Sequence, residues 1–168
     1  MELALNMVIV LLLAALIYQD FKSRSVLWVI FPVLIIFQFF LSYKLIGWDE
    51  LWRNTVVNLM LLALQFLLLT LYFSFRNARW TNIINKYIGA GDVFFFVFLS
   101  LAFSPFNFIA FFVVSLLAIL IIYFLIVRKN LKKHKIPLLG AMSIAYLPVL
   151  CVEYLSDFNK FDDVILNF

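Results

Sequence analysis

Long apolar stretches, separated by short polar interruptions, occupy almost the whole of this 168-residue chain. Hydrophobic residues make up 67% of the sequence and the mean hydropathy is +1.11. This composition leaves too few polar residues to cover the surface of a water-soluble domain. A helix needs about 20 residues to cross the roughly 30 Å of hydrocarbon in a bilayer. The sequence therefore predicts an integral membrane protein built from apolar helices.

The polar interruptions divide the chain into six segments that are long enough to span a bilayer. The predicted segments are residues 3–19, 26–46, 52–75, 87–104, 106–127 and 137–155, with each end set to within about two to four residues. Because the connecting loops are short, we expect one all-α domain over residues 1–168, a polytopic six-transmembrane-helix bundle with no soluble appendage. The first segment lacks a basic start and a small-residue cleavage site, so we expect it to stay on the mature protein.

Basic residues collect in alternate loops of this scheme, at residues 20–25, 76–88 and 128–136. They are Lys22, Arg24, Arg76, Arg79, Lys86, Arg128, Lys129, Lys132, Lys133 and Lys135. By the positive-inside rule these loops face the cytoplasm, so both termini lie on the other side of the plasma (inner) membrane. The net charge of +4 is then a topology signal, and we expect no nucleic-acid partner. The loop at 128–135 is either a solvated loop near lipid headgroups or a docking surface for an acidic partner.

Two acidic residues, Asp20 and Asp92, fall on the cytoplasmic half of this topology. Both lie at the boundary of an apolar helix, where an ionised carboxylate is costly and tends to face a bundle interior or a water-filled cavity. Each also has a structural explanation. Asp92 could cap the fourth helix, and Asp20 could pair with Arg24 one turn away.

Gly89 and Gly91 flank the second aspartate in a chain that has 4 glycines. Counting back about 20 residues from Ser104 and Pro105, which end this segment, places Asp92 inside the membrane by a turn or two. Glycine allows backbone conformations and close approaches that other residues do not. Irregular backbone at this depth is tolerated where it lines a cavity or packs on protein. The sequence GAGD is therefore predicted to form an opening for a reactive group.

Two carboxylates at one membrane depth can form a catalytic dyad. Held a few ångströms apart they share one proton, so that one activates a water while the other protonates a leaving amine. This aspartic-protease chemistry needs no metal, no cofactor and no covalent intermediate. His134 is the single histidine and Cys151 the single cysteine, so we expect no metal cluster, catalytic triad or internal disulfide.

The same residues resemble the signature of the type IV prepilin peptidases and archaeal preflagellin peptidases, which are membrane aspartic peptidases of the GxGD type. The similar positions are Asp20 with Arg24, the run Gly89-Ala90-Gly91-Asp92 that opens a later helix, and Ile136-Pro137 at the start of the last segment. The resemblance covers nearly the whole chain. It implies that Asp20 and Asp92 are catalytic and that Gly89, Gly91 and Arg24 support them. It also implies a substrate, a prepilin-like precursor whose short basic leader is removed at the cytoplasmic face, just before an apolar N-terminal helix.

The sequence departs from this family pattern in three ways. Phe94 stands where these enzymes often have a lysine, and Leu138-Leu139-Gly140 replaces a Pro-rich or Gly-Pro continuation after Ile136-Pro137. The cytoplasmic domain with paired CxxC motifs is missing, so we expect a peptidase without N-methyltransferase activity. Two other functions stay open at this point. One is a non-catalytic membrane scaffold, and the other is a small ion-coupled transporter in which the two aspartates bind a proton or cation.

Overall fold

A computed structural model describes residues 2–23, 26–77, 88–127, 137–155 and 160–161. Within these ranges the chain forms five helices: α1 (Glu2–Ser23), α2 (Ile30–Arg76), α3 (Ala90–Ala102), α4 (Pro105–Val127) and α5 (Leu138–Leu155). The predicted all-helical fold class is confirmed. The bounds of α1, α4 and α5 lie within about a turn of those predicted from the apolar segments.

Four of the helices are long and apolar enough to cross a membrane, namely α1, α2, α4 (over Pro105–Leu125) and α5. The remaining helix, α3, is apolar but has 13 residues, which corresponds to about 20 Å against roughly 30 Å of hydrocarbon. Large apolar side chains are exposed along the outer faces, for example Leu11, Phe75 and Leu125. Such a surface is compatible with contact with lipid, and it would be unusual for a protein in water.

The predicted count of six separate helices is not confirmed, because the second and third predicted segments belong to one helix. α2 has 47 residues and is interrupted at Gly47, whose backbone (φ 78°, ψ 178°) leaves the helical region. A side chain at this position would meet nothing within 4 Å. The positive φ, and not crowding, is therefore what requires glycine here.

The chain reverses its direction at this glycine. Ser42, which precedes it, donates a hydrogen bond to the Leu101 carbonyl (2.7 Å). Asn58, which follows it, donates to the carbonyls of Ser100 and Phe103 (both 2.9 Å). Residues 42 and 58 would lie about 24 Å apart along a straight helix, yet both reach neighbouring carbonyls at the end of α3. α2 therefore folds back into a first arm (30–46) and a second arm (48–76), with α3 beside both.

These contacts also satisfy the carbonyl groups at the end of α3. The last four carbonyls of a helix have no partner within the helix, and an unsatisfied polar group in an apolar interior is costly. Asn58 and Ser42 supply donors from the two arms, and Gln38 donates in turn to the Ser42 hydroxyl (2.9 Å). All three side chains are buried. Polar residues inside the apolar segments of α2 thus act as caps for a neighbouring helix.

The helices run in alternating directions, so that their ends form two groups. At the first group, called here the aspartate end, Asp20 of α1, Phe31 of α2 and Leu139 of α5 line one cavity together with the start of α3. At the opposite end, Glu2 of α1 pairs with Lys44 of α2 (3.1 Å). Between the two ends, Tyr146 of α5 is fully buried and lies edge-on to the rings of Phe98, Phe103 and Phe111.

Lys160 joins the chain that follows α5 to the turn between α3 and α4. Its fully buried ammonium pairs with Glu153 of α5 (2.8 Å). Its carbonyl accepts hydrogen bonds from the Ser104 N–H (3.3 Å) and from the Asn107 side chain (2.9 Å). Burial lowers the pKa of the Lys160 ammonium, and the Glu153 carboxylate opposes that shift. The ion pair keeps the buried charge compensated.

Replacing Asn58 by leucine should lower the free energy of unfolding by about 2–4 kcal/mol, because two buried carbonyls at the end of α3 lose their donors. Ser115→Ala is the matched control. Ser115 is also buried, but its hydroxyl bonds to Phe112 in its own helix (3.1 Å), and we expect a loss below about 1 kcal/mol. Unfolding of both variants in detergent would be followed by circular dichroism. Equal losses would contradict the capping role of Asn58.

Candidate active site

The two aspartates singled out by the sequence line the same cavity at the aspartate end. Asp20 comes from the last turn of α1 and Asp92 from the first turn of α3. The cavity has a volume of about 360 Å³. Its described lining consists of Asp20, Val26, Trp28, Phe31, Gly89, Ala90, Gly91, Asp92, Phe94 and Leu139. The structure therefore brings together two carboxylates that are distant in sequence.

Asp20 is held by the amino-terminal end of α5. Its side chain is buried, and one carboxylate oxygen, Oδ2, accepts a hydrogen bond from the Gly140 N–H at 2.6 Å. The first N–H groups of a helix have no carbonyl partner within it. In this turn of α5 the Ala141 N–H donates to the Pro137 carbonyl (3.1 Å), which leaves the Gly140 N–H available to Asp20. The positive end of the helix dipole also favours a carboxylate. Asp20 thus satisfies an N–H group of α5 that the helix itself leaves unpaired.

Asp92 lies in a similar position at the start of α3. The Gly89 N–H donates to Asp92 Oδ2 (3.1 Å), and the Asp92 N–H donates to the Gly89 carbonyl (3.1 Å). This reciprocal pair fixes the first turn of α3 in the manner of a capping box. Asp92 therefore does cap α3, but from the third helical position, since the N-cap residue is Gly89. The same side chain also lines the cavity, so capping and a role in the cavity coexist.

Two helix amino termini consequently meet at the cavity, that of α5 at Asp20 and that of α3 at Asp92. Each helix end carries roughly half a positive elementary charge. These partial charges and the N–H donors offset part of the cost of placing carboxylates among apolar side chains. The described lining contains no lysine or arginine. Within it, backbone dipoles supply the positive charge that the aspartates face.

Gly89 and Gly91 leave space for neighbouring groups, and neither has an unusual backbone conformation. Gly89 has an ordinary extended conformation (φ −70°, ψ 147°) and Gly91 lies within α3. A Cβ on Gly91 would lie 3.3 Å from Phe31 Cζ and 3.5 Å from Leu139 Cδ1. The expectation of irregular backbone was wrong, since GAGD forms the regular first turn of a helix that begins at Ala90. The expectation of a close approach is confirmed at Gly91.

Aromatic side chains form much of the remaining lining. Phe94, at the position where the resembling family often has a lysine, stacks on Phe31 with ring centroids 5.7 Å apart. Trp28, in the link between α1 and α2, also contributes to the lining and is largely exposed. The cavity thus combines two acids with an apolar, aromatic surface.

Several residues discussed from the sequence lie outside the described ranges. They include Arg24, Ile136 and the basic stretch 128–135 with His134, so the pairing of Asp20 with Arg24 stays a prediction. In the part of the chain that the structure describes, no group of three or more His, Cys, Asp or Glu side chains could hold a metal ion. Cys151 is exposed on α5.

Gly140 is a site residue that was not predicted from the sequence, where it stands out only as a departure from a family pattern. Two signals could have revealed it. It is one of 4 glycines in the chain, and it lies in the first turn of a helix that follows Pro137. A glycine at such a place indicates either a close approach or a backbone group that is presented to another element.

The chain was also compared with protein-family models, with curated proteins and with solved structures, and none of them matches it.

Cysteines introduced at positions 20 and 92, with Cys151 replaced by serine, should be joined by a short bifunctional thiol reagent, because both positions line one cavity. The control pair has cysteines at positions 20 and 49. Asp49 is exposed two residues after the reversal at Gly47, at the opposite end of the bundle. Mass spectrometry of proteolytic digests would measure the cross-link. Equal yields for the two pairs would contradict the shared cavity.

Proposed function

We propose that this chain is a membrane aspartic endopeptidase that cleaves the leader peptide from prepilin-like precursors, with Asp20 and Asp92 as its catalytic pair. The observation that carries the proposal is their position on one cavity of an otherwise apolar bundle. Ionisable residues within apolar helices are expensive, and they usually mark a functional site. The pair also has the residue types that metal-independent peptide hydrolysis requires.

The reaction follows from one proton shared between two carboxyl groups. Two neighbouring carboxylates cannot both ionise at little cost, so one keeps a proton. The ionised group accepts a proton from water as the water oxygen attacks the peptide carbonyl carbon, and the protonated group donates to the substrate. When the tetrahedral intermediate collapses, the C–N bond breaks and the leaving amine takes a proton. The pair then again holds a single proton.

The lining supports a substrate that is basic on one side of the cut and apolar on the other. The carboxylates of Asp20 and Asp92 suit the positive charge of a leader, and the rings of Trp28, Phe31 and Phe94 suit the apolar helix that follows it. The partners in this proposal are thus a precursor protein and the lipid bilayer around it. The expected lack of N-methyltransferase activity stays a prediction.

We also propose that each arm of α2 crosses the bilayer, which gives six membrane segments when the short α3 is included. The reversal at Gly47 and the alternating helix directions support this count. The aspartate end then faces the cytoplasm in the plasma (inner) membrane, because the basic residues Lys22 and Arg76 stand in the last turns of α1 and α2, where the positive-inside rule places the cytoplasmic ends. Both termini lie on the opposite side.

A cysteine introduced near Asn167, in a chain with Cys151 replaced by serine, should react with a membrane-impermeant thiol reagent added to the outside of intact cells. The reason is that this topology places the C-terminus outside. A cysteine introduced near Asn130, in a loop predicted to be cytoplasmic, serves as the control and should react only after the membrane is opened. The reverse pattern of labelling would contradict the proposed orientation.

Asp20→Asn and Asp92→Asn should each lower the rate of cleavage by at least about 10²–10⁴-fold, because each removes a group that transfers a proton. Asparagine keeps the shape and most hydrogen bonds, so loss of a capping role alone would cost only about 1 kcal/mol of stability. Asp49→Asn is the matched control and should leave cleavage unchanged, since Asp49 is exposed at the opposite end of the bundle.

The assay uses protein purified in detergent and a prepilin that the wild type processes, with the new N-terminus read by sequencing. The rate should follow a bell-shaped curve in pH whose two limbs belong to the pair. Substantial cleavage by either asparagine variant would contradict the aspartic-peptidase proposal. The second candidate is a non-catalytic scaffold, which is favoured by Phe94 at the position where the resembling family often has a lysine. That function would then account better for the chain.

A further inference from the structure

The contact between Asp20 and Gly140 makes the two carboxyl groups of the cavity unequal. Both accept a backbone N–H, but the Gly140 donor lies 2.6 Å from Asp20 Oδ2 and the Gly89 donor lies 3.1 Å from Asp92 Oδ2. Hydrogen bonds to an ionised acceptor are shorter and stronger than neutral ones, and they favour the charged form. The shorter contact therefore marks the carboxyl group that is better stabilised as an anion.

We infer that Gly140 is a positioning residue that holds Asp20 as the ionised, water-activating member of the pair, so that Asp92 carries the shared proton. The catalytic part of this inference rests on the proposed function, whereas the difference between the carboxyl groups can be measured without a substrate. Gly140 acts through Asp20, since it is Leu139 and not Gly140 that lines the cavity. The contact joins residues that are 120 positions apart.

Glycine is needed at position 140 because a side chain there would displace the groups around it. A Cβ would lie 2.7 and 2.9 Å from two atoms of the Phe21 ring and 3.1 Å from Asp20 Oδ2. The Phe21 ring is 52% exposed and can turn away, whereas Asp20 is 8% exposed and has little freedom to move without losing its donor. The missing side chain thus allows the amino end of α5 to approach the carboxylate closely.

Few titratable groups in the described ranges face Asp20. From α3 it faces Asp92, the other member of the pair. On α1 itself, Lys22 donates to the Tyr18 hydroxyl (2.7 Å). The described residues 26–31 contain no ionisable side chain, and those of α5 (Tyr146, Cys151, Glu153 and Tyr154) begin almost two turns beyond Gly140. Arg24, the predicted partner of Asp20, is the same in every variant, so a change in the titration of Asp20 on altering position 140 reports on the Gly140 contact.

The substrate-free experiment follows the carboxyl band in the infrared spectrum of the full chain as the pH is varied. The chain has 9 acidic residues, so each titration is read from a difference spectrum against the double variant Asp20→Asn with Asp92→Asn. The difference for Asp92→Asn gives the titration of Asp20, and the difference for Asp20→Asn gives that of Asp92. We expect the midpoint for Asp20 to lie at the lower pH. Adding Gly140→Ala should raise the Asp20 midpoint by about 0.5–1 pH unit and leave the Asp92 midpoint unchanged. A lower midpoint for Asp92, or an equal effect of Gly140→Ala on both, would overturn the inference.

The activity experiment uses the same substitution with a variant that removes the Phe21 ring, so that the contact with Asp20 can be tested separately. Gly140→Ala should lower kcat about tenfold or more with little change in KM, and it should move the acidic limb of the pH–rate curve to higher pH. Phe21→Ala alone should be close to wild type, and Phe21→Ala with Gly140→Ala should stay as low in kcat as Gly140→Ala, because the Cβ at position 140 still lies 3.1 Å from Asp20 Oδ2. If Gly140 had only a structural role, Gly140→Ala would lower the yield of folded protein and leave the acidic limb of the pH–rate curve in place. That result would overturn the positioning role.

The two experiments separate the failure of this inference from that of the proposed function. If the wild type cleaves no precursor while the Asp20 midpoint is the lower one and responds to Gly140→Ala, the peptidase proposal fails and the positioning of Asp20 stands. If the wild type cleaves but Gly140→Ala alters neither the midpoint nor the limb, the inference about Gly140 fails and the proposed function stands.

Discussion

The structure depends on how the ends of its helices find hydrogen-bond partners in apolar surroundings. Backbone groups that a helix leaves unpaired cannot rely on water inside a bilayer. Ser42 and Asn58 of α2 bond the carbonyl end of α3. Asp20 bonds the amino end of α5 and Asp92 bonds the amino end of α3. Ser42, Asn58 and Asp20 thus complete the ends of neighbouring helices, and Asp92 completes the start of its own helix.

This use of polar side chains explains why a structural and a chemical role coincide at the aspartates. A carboxylate at a helix amino terminus satisfies a donor and is itself stabilised as an anion. When two such termini meet, the helix ends hold two carboxyl groups against one cavity whose described lining contains no basic side chain. The need to pair the N–H groups at the helix ends therefore also places two carboxyl groups where they can share one proton.

The sequence alone was sufficient for the features that depend on local pattern. Apolar runs located α1, α4 and α5, and the sorting of charges singled out Asp20 and Asp92. It was insufficient where a residue acts on a distant part of the chain. No local pattern connects Gly140 with Asp20, which lies 120 positions away.

The composition of the cavity also determines how a water molecule could be held in it. A buried water needs about two to four polar partners, and the rings of Phe31 and Phe94 offer none. In the described lining the side chains that can bond a water belong to Asp20, Asp92 and Trp28, whose indole N–H can donate one hydrogen bond. Among these, the two carboxylates are the groups that can accept a proton from the water. In the proposed reaction they would therefore both hold the nucleophile and take its proton, so that a change to either removes both contributions together.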